Sequence, residues 1–209
     1  MAFGLEIRDS SGRIFATPET PCMHFIKKMY FNANKGLSTF ELGVSSEIHV
    51  ACYLRINRMV EIHSRQIPEN GSWIMSLRAK SQVDGFFYIF TSEIPPDSEL
   101  VGIEMYNENG SRVFSTAAKP LQNKTVVMDK DSMRKVKLSH PAATIAIPQI
   151  YWWRKFGNVG ILNLETPCAY DNVIELGNMG AGLTGSWRHD LPYLPNGNVV
   201  NYINSALYD

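Results

Sequence analysis

Neither sign of charge predominates in this chain. Lysine plus arginine number 20 and aspartate plus glutamate number 20 among 209 residues, so the formal net charge is zero. Proteins that grip nucleic acid normally carry a basic excess that displaces the counterions of the phosphate backbone, and its absence speaks against nucleic acid as a partner. Long apolar runs are missing too: no stretch approaches the ~18 residues that a membrane-spanning helix needs. The opening "MAFGLEIRDSSGR" has no basic segment followed by an apolar one, which reads as no secretory signal. Cysteine is scarce. Cys22, Cys52 and Cys168 stand far apart and an odd number cannot all pair, which points to reduced thiols and folding in a reducing compartment. Nor is there a long window of 3.6-residue apolar periodicity, so the chain is not built on helices. Neutrality also removes self-repulsion, which suits a protein that associates.

What the chain does contain is a repetition. "FGLEIRDSSGRIFATPETP" (residues 3–21) is echoed by "VGIEMYNENGSRVFSTAAKP" (residues 101–120). With Gly4 on Gly102, Glu6 meets Glu104, Ile7 meets Met105, Asp9 meets Asn107 and Gly12 meets Gly110. The second copy then carries one extra residue, after which Arg13 meets Arg112, Phe15 meets Phe114 and Pro21 meets Pro120. Each copy reads as strand, polar turn, strand, with an Asx side chain capping the turn and a glycine supplying positive φ. A bulge or a longer loop absorbs the extra residue. Two strands are marginal alone in water, so each copy is expected to seed a larger sheet.

Strand signals fill the rest of the chain. "LRINRMVEIH" places Leu54, Ile56, Val60 and Ile62 on one face by period-two alternation. "GFFYIF" (residues 85–90) is short, unbroken and aromatic, as a central strand is. "KTVVMD", "RKVKL" and "NVGILNLE" add further strands, and Pro148 ends or marginalises the run "AATIAIPQIYWW". "VVNYINSALYD" closes with a last strand or a short helix. The fold class is therefore all-β, expected as two tandem β-sandwich-like domains, each started by its hairpin. The stiff, polar "TSEIPPDSEL" marks the junction, giving domains at residues 1–96 and 97–209, the second with a glycine-rich tail. One sheet with pseudo-twofold symmetry is the competing arrangement.

Catalytic and cofactor chemistry finds little support. "GNMGAGLTGS" (residues 177–186) lacks the following lysine and helix of a phosphate loop and reads as a flexible surface loop. Cys22 and His24 would share a strand face, and His49, Cys52 and His63 add candidates, but no paired ligand spacing occurs, so no metal site is expected. No nucleophile elbow appears, and "WRHD" (residues 187–190) reads as a surface cluster, so the protein is expected to be no enzyme and to hold no cofactor. The stretch "YWWRKF" is different. Tyr151, Trp152, Trp153 and Arg154 combine the residue types that dominate protein interfaces, against the plainer reading of aromatics filling a core with Arg154 and Lys155 in solvent.

The two repeat windows, residues 2–21 and 85–121, resemble a group of small tailed-phage and prophage proteins encoded among tail genes. Their chains open with a [YF]-G-L-[EQ]-x-x-[DN]-x-x-G pattern, which here begins with Phe3 in place of the usual tyrosine. The resemblance implies a structural component of a phage tail, in the tail tip, baseplate or fibre-attachment region. It implies other tail proteins as partners, a homo-oligomer or symmetric ring in the virion, and folding in the host cytoplasm. It brings no catalytic residues. The alternatives are a module binding a host receptor or surface glycan, and a cytoplasmic accessory or assembly protein.

Overall fold

The structure, a computed structural model, describes residues 7–8, 12, 14–17, 22–94, 103–128, 135–147, 150–156, 159–178, 183–186 and 199–209, with the backbone alone at 7, 14–16, 150–156, 159–165, 178 and 183–186. In chain order the first strands are β1 (Ile7–Arg8), β2 (Ile14–Ala16), β3 (His24–Ala33), β4 (Gly36–Ser45), β5 (Val50–Ile56), β6 (Ile62–Glu69), β7 (Ser72–Ala79) and β8 (Val83–Thr91). Then come β9 (Glu104–Tyr106), β10 (Arg112–Ser115), β11 (Lys124–Val127), β12 (Lys135–Lys137) and β13 (Ala142–Ile145). The last are β14 (Ile150–Phe156), β15 (Val159–Tyr170), β16 (Val173–Asn178), β17 (Leu183–Ser186) and β18 (Val199–Asn204), followed by a 3-10 turn, Ser205–Leu207. The chain is all-β, as its alternation predicts.

A six-stranded sheet in the order β11-β18-β13-β5-β8-β3 is the backbone of the fold. Against one of its faces lie a three-stranded sheet, β4-β7-β6, and the sheet β12-β16-β15-β14. The larger core fills the space with Phe31, Leu54, Ile56, Phe87 and Ile89 from the first sheet and Leu42, Ile62, Met75 and Leu77 from the second. Beside it Ala142, Val200 and Tyr202 meet Ala169 and Ile174 from β15 and β16. The Thr144 hydroxyl, itself buried, ties these layers by donating to the Pro167 carbonyl at 2.9 Å. This is a β-sandwich.

Local chemistry accounts for the connections. β6 and β7 are joined through Asn70 and Gly71, whose φ values of 50° and 80° are those of a two-residue hairpin turn with the twist of its strands. The run from Leu54 to Ile62 is not one strand. It leaves the six-stranded sheet after Ile56, bends at Asn57 and Arg58, and enters the three-stranded sheet at Ile62. Its alternation persists because Leu54, Ile56, Val60 and Ile62 all point into the same core from its two sides. β8 is central, between β5 and β3, as its aromatic run predicts. A Cβ added at Gly85 would sit 2.1 Å from the Arg55 carbonyl oxygen, so only glycine fits there.

The strand pairing differs from the expected pair of tandem sandwiches. The six-stranded sheet takes β3, β5 and β8 from one side of the anticipated 96/97 junction and β11, β13 and β18 from the other, with β5 bonded directly to β13. The repeated hairpins likewise do not seed those sheets: β1-β2 and β9-β10 are each two-stranded among the described residues. Both ladders are short, and a bulge interrupts each after its first pair. The long strands between the copies carry the sheet-forming pattern instead.

Candidate functional site

Both repeat copies fold as hairpins, with Gly12 at φ 81° and Gly110 at φ 75° supplying the left-handed turn residue. In the second copy the Asn107 side chain does the capping: its Oδ1 accepts the amides of Asn109 at 3.0 Å and Ser111 at 2.9 Å. The extra residue does not lengthen the turn. Arg8 pairs with Ile14 and Tyr106 with Arg112, so the intervening stretch is the same and the second strand slips by one. Phe15 is consequently the unpaired bulge residue of the first copy, whereas its counterpart Phe114 pairs with Met105. A one-residue slip changes which residues pair across the ladder, so matching sequence yields different registers.

The second hairpin has two distinct sides. Met105, Val113 and Phe114 are buried and form a small cluster with Cys22, apart from the main cores. Outward stand Ile103, 59% exposed, and Tyr106, 51% exposed. Between them Glu104 accepts both the Tyr106 hydroxyl and, at 2.6 Å, the Arg112 guanidinium. Those two hydrogen bonds hold the Glu104 carboxyl below the usual carboxylate range. An apolar residue, a tyrosine and an arginine held in fixed geometry at a hairpin edge are an arrangement suited to protein contact.

Tyr151, Trp152, Trp153 and Arg154 lie on β14, which is an edge strand bonded to β15. Tyr151 pairs with Leu164, Trp152 with Asn163, Trp153 with Leu162 and Arg154 with Ile161, in an uninterrupted antiparallel register. Their side chains lie outside the described residues, as does "WRHD" at 187–190. The glycine-rich stretch is corrected in part. β16 extends through Gly177 to Asn178, and Leu183–Ser186 forms β17 against Leu162–Val159 of β15, so both ends of the supposed loop are ladder. At Gly177 an added Cβ would lie 3.4 Å from the Glu61 Cα and 3.5 Å from the Cys168 Sγ, ordinary contact distances at a buried strand position.

Cys22 and His24 are both buried, and Cys52 and Cys168 are enclosed in the main core. Burial pushes the Cys22 thiol up to about 11 and the Cys168 thiol up to about 12, so neither is primed for nucleophilic work. Among the described residues no three His, Cys, Asp or Glu side chains gather as a metal-binding group. A shallow cavity of about 290 Å³ opens where bulges in β3 and β4 part the two edges, lined by Ile26, Val44, Ile48 and Ile94, with Thr91 and Glu93 at its polar side.

Alternation alone did not reveal a cluster on the outer face of the six-stranded sheet. The Lys28 ammonium sits 4.1 Å from the Phe86 ring centre, Tyr30 packs edge-on against Phe86 at 5.6 Å, and Tyr30 is 57% exposed. The same ammonium reaches Asp209 at 2.7 Å. A bulge at Ile26 makes this possible, because it moves Lys28 and Tyr30 onto the face that Phe25 occupies. No family model matches the chain, and no curated protein or solved structure matches it.

Proposed function

We propose that this protein is a structural component of a bacteriophage tail, in the tail tip, baseplate or fibre-attachment region, working through protein–protein contacts. The observation that carries the reading is the repeated motif itself. Its two copies resemble the opening of tail-associated phage proteins, and both form small hairpins separate from the large sheets. A two-stranded sheet gains little on its own, so hairpins of this kind are most useful when a neighbour covers them. The exposed Ile103 and Tyr106, with Arg112 fixed beside them, supply contact chemistry on the second copy. Zero net charge suits close packing into a ring with other tail proteins or with further copies.

Mass spectrometry of purified particles tests the proposal. The expected result is the protein at a fixed stoichiometric copy number in virions. Its presence in infected-cell lysate and absence from particles would replace this reading with an accessory or assembly role. Particles that assemble with Trp152→Ala or Trp153→Ala but lose adsorption would point instead to a receptor- or glycan-binding module.

A further inference from the structure

The second hairpin is fastened to the body at an unusual place. His24 begins β3 with Thr91 as its neighbour on one side and Pro120 bridged to it on the other. Its ring is fully buried, lies 6.2 Å from the Phe114 ring, and neither nitrogen makes a well-formed hydrogen bond. A buried imidazole with no acceptor beyond the Cys22 carbonyl is tolerable only while it is neutral. The apolar side of the hairpin rests next to it through the small cluster of Cys22, Met105, Val113 and Phe114.

The charged and titratable groups around the ring favour that neutral state. From the hairpin, Arg112 adds positive field, and the adjacent carboxylate, Glu104, is already engaged by Arg112. From the preceding residues of the chain, the Cys22 thiol is held protonated by burial, and only the Cys22 carbonyl favours a proton on the ring. From the segment after the hairpin, the Lys119 ammonium lies 6.0 Å from the centre of the neighbouring Phe25 ring. From the end of β8, Thr91 spends its hydroxyl at 2.8 Å on the carbonyl of Glu93, an exposed acidic residue. Burial is the largest influence and holds the imidazole below its ordinary range.

We propose that His24 is a proton-operated latch for the second hairpin: when its ring takes up a proton, β9-β10 leaves the body and bares Met105, Val113 and Phe114. The hairpin is the element that yields, because β3 and β8 on the other side are paired from His24–Thr91 to Ala33–Val83, interrupted only at the Ile26 bulge, and pack on the main core. In the open form the hydrated ring binds a proton with ordinary affinity, whereas in the closed form it binds one more weakly. Acid therefore favours opening. The inference is independent of the tail assignment.

Hydrogen exchange of the full chain at several pH values, corrected for intrinsic chemical rates, tests it. Amides of residues 103–116 should lose protection by about tenfold between about pH 7.5 and 5.5, the response of one proton taken up on opening. Those of β5 and β8 should hold, and His24→Phe should abolish the acid response. A response that persists in His24→Phe, a hairpin that stays protected in acid, or opening of β5 and β8 in parallel would each overturn the latch. Should His24→Phe fail to fold, NMR titration of the wild-type ring decides the matter. A midpoint below the usual histidine range that coincides with loss of hairpin protection supports the latch; ordinary titration with the hairpin still docked refutes it.

Discussion

The Tyr88 hydroxyl donates to the Asp209 carboxylate at 2.8 Å, joining β8 of the six-stranded sheet to a residue 121 positions along the chain. Lys28 reaches the same oxygen at 2.7 Å, and Arg55 approaches the other at 3.5 Å. Burial pushes the Asp209 carboxyl up, but the hydrogen bonds from Lys28 and Tyr88 and the two positive charges outweigh it, so its affinity for protons falls below the usual range. The folded state thus holds this proton less tightly than the unfolded chain. The stabilisation is present above the ordinary aspartate range and is lost as pH falls through the depressed folded value. Asp209→Asn should lower stability by about 1 kcal/mol at neutral pH, a modest figure because the site is partly solvated. Thermal melts of both proteins should converge as the pH falls below the ordinary aspartate range. An unchanged difference there would show that packing, and not charge, holds Asp209.

Gly85 gives the largest expected single-site effect. An alanine Cβ would meet the Arg55 carbonyl oxygen at 2.1 Å, a contact with main chain that no rotamer change relieves. Gly85→Ala should cost at least about 2 kcal/mol, because β5 and β8 must separate where Gly85 pairs with Ile56, at the end of their ladder. Urea denaturation measures this. A loss under about 0.5 kcal/mol would mean that the strands part more easily than a close-packed sheet allows.

Much of this architecture was legible in the residues. The Asn–Gly turn at 70–71 and the interior position of "GFFYIF" follow from backbone preference and short-range pattern, and both are present; the expected break at Pro148 falls outside the described residues, between β13 and β14. What could not be read was which strands share a sheet. Alternation from Leu54 to Ile62 is indifferent to the crossing at Asn57, since both sheets face one core. The pairing of Leu54 with Thr144 joins residues far apart in sequence, and no local signal announces it. The repeat misled for a related reason: likeness of sequence does not fix register, and a slip of one pair separates Phe15 from Phe114. The outer-face cluster depends on the bulge at Ile26, so Lys28 and Asp209 gave no sign of being partners.

His63 supplies a pH dependence of a different origin from that of Asp209. It is half-buried on β6, and burial together with the charges of Arg65 and Arg78 holds its imidazole below the usual range. The unfolded chain therefore takes up this proton first as pH falls. Stability declines once the pH drops through the ordinary histidine range, near 6.5, and levels off when the folded state protonates as well. His63→Gln should flatten the dependence of the melting temperature between about pH 7 and 5, relative to wild type. An identical slope in the variant would assign the effect to other groups.

Trp73 reports on the end of the three-stranded sheet. Its indole N–H donates to the Ile48 carbonyl at 2.8 Å, tying β7 to the turn between β4 and β5. Trp73→Phe keeps most of the packing and removes that bond, and should cost about 1 kcal/mol. Equilibrium unfolding followed by circular dichroism provides the comparison. A stability equal to wild type would mean that water replaces the bond at no cost.

The repeat can be tested without disturbing the main core. Gly12 and Gly110 occupy left-handed backbone, with open space where a Cβ would lie, so the effect of valine at either site is strain in the turn. A β-branched residue is poorly accommodated at positive φ, and each variant should open its own hairpin at a cost of about 1–2 kcal/mol confined to that element. The cores defined by Leu54, Phe87 and Leu77 share no residue with the β9-β10 cluster, so global melting should shift little. If the hairpins are the contact elements of a tail protein, Gly110→Val should reduce incorporation into particles several-fold while the soluble protein stays folded. Gly12→Val should do the same if both copies are used. Normal incorporation of the double variant, with both hairpins shown open by hydrogen exchange, would remove the hairpins from the interface and with them the principal support for a tail role.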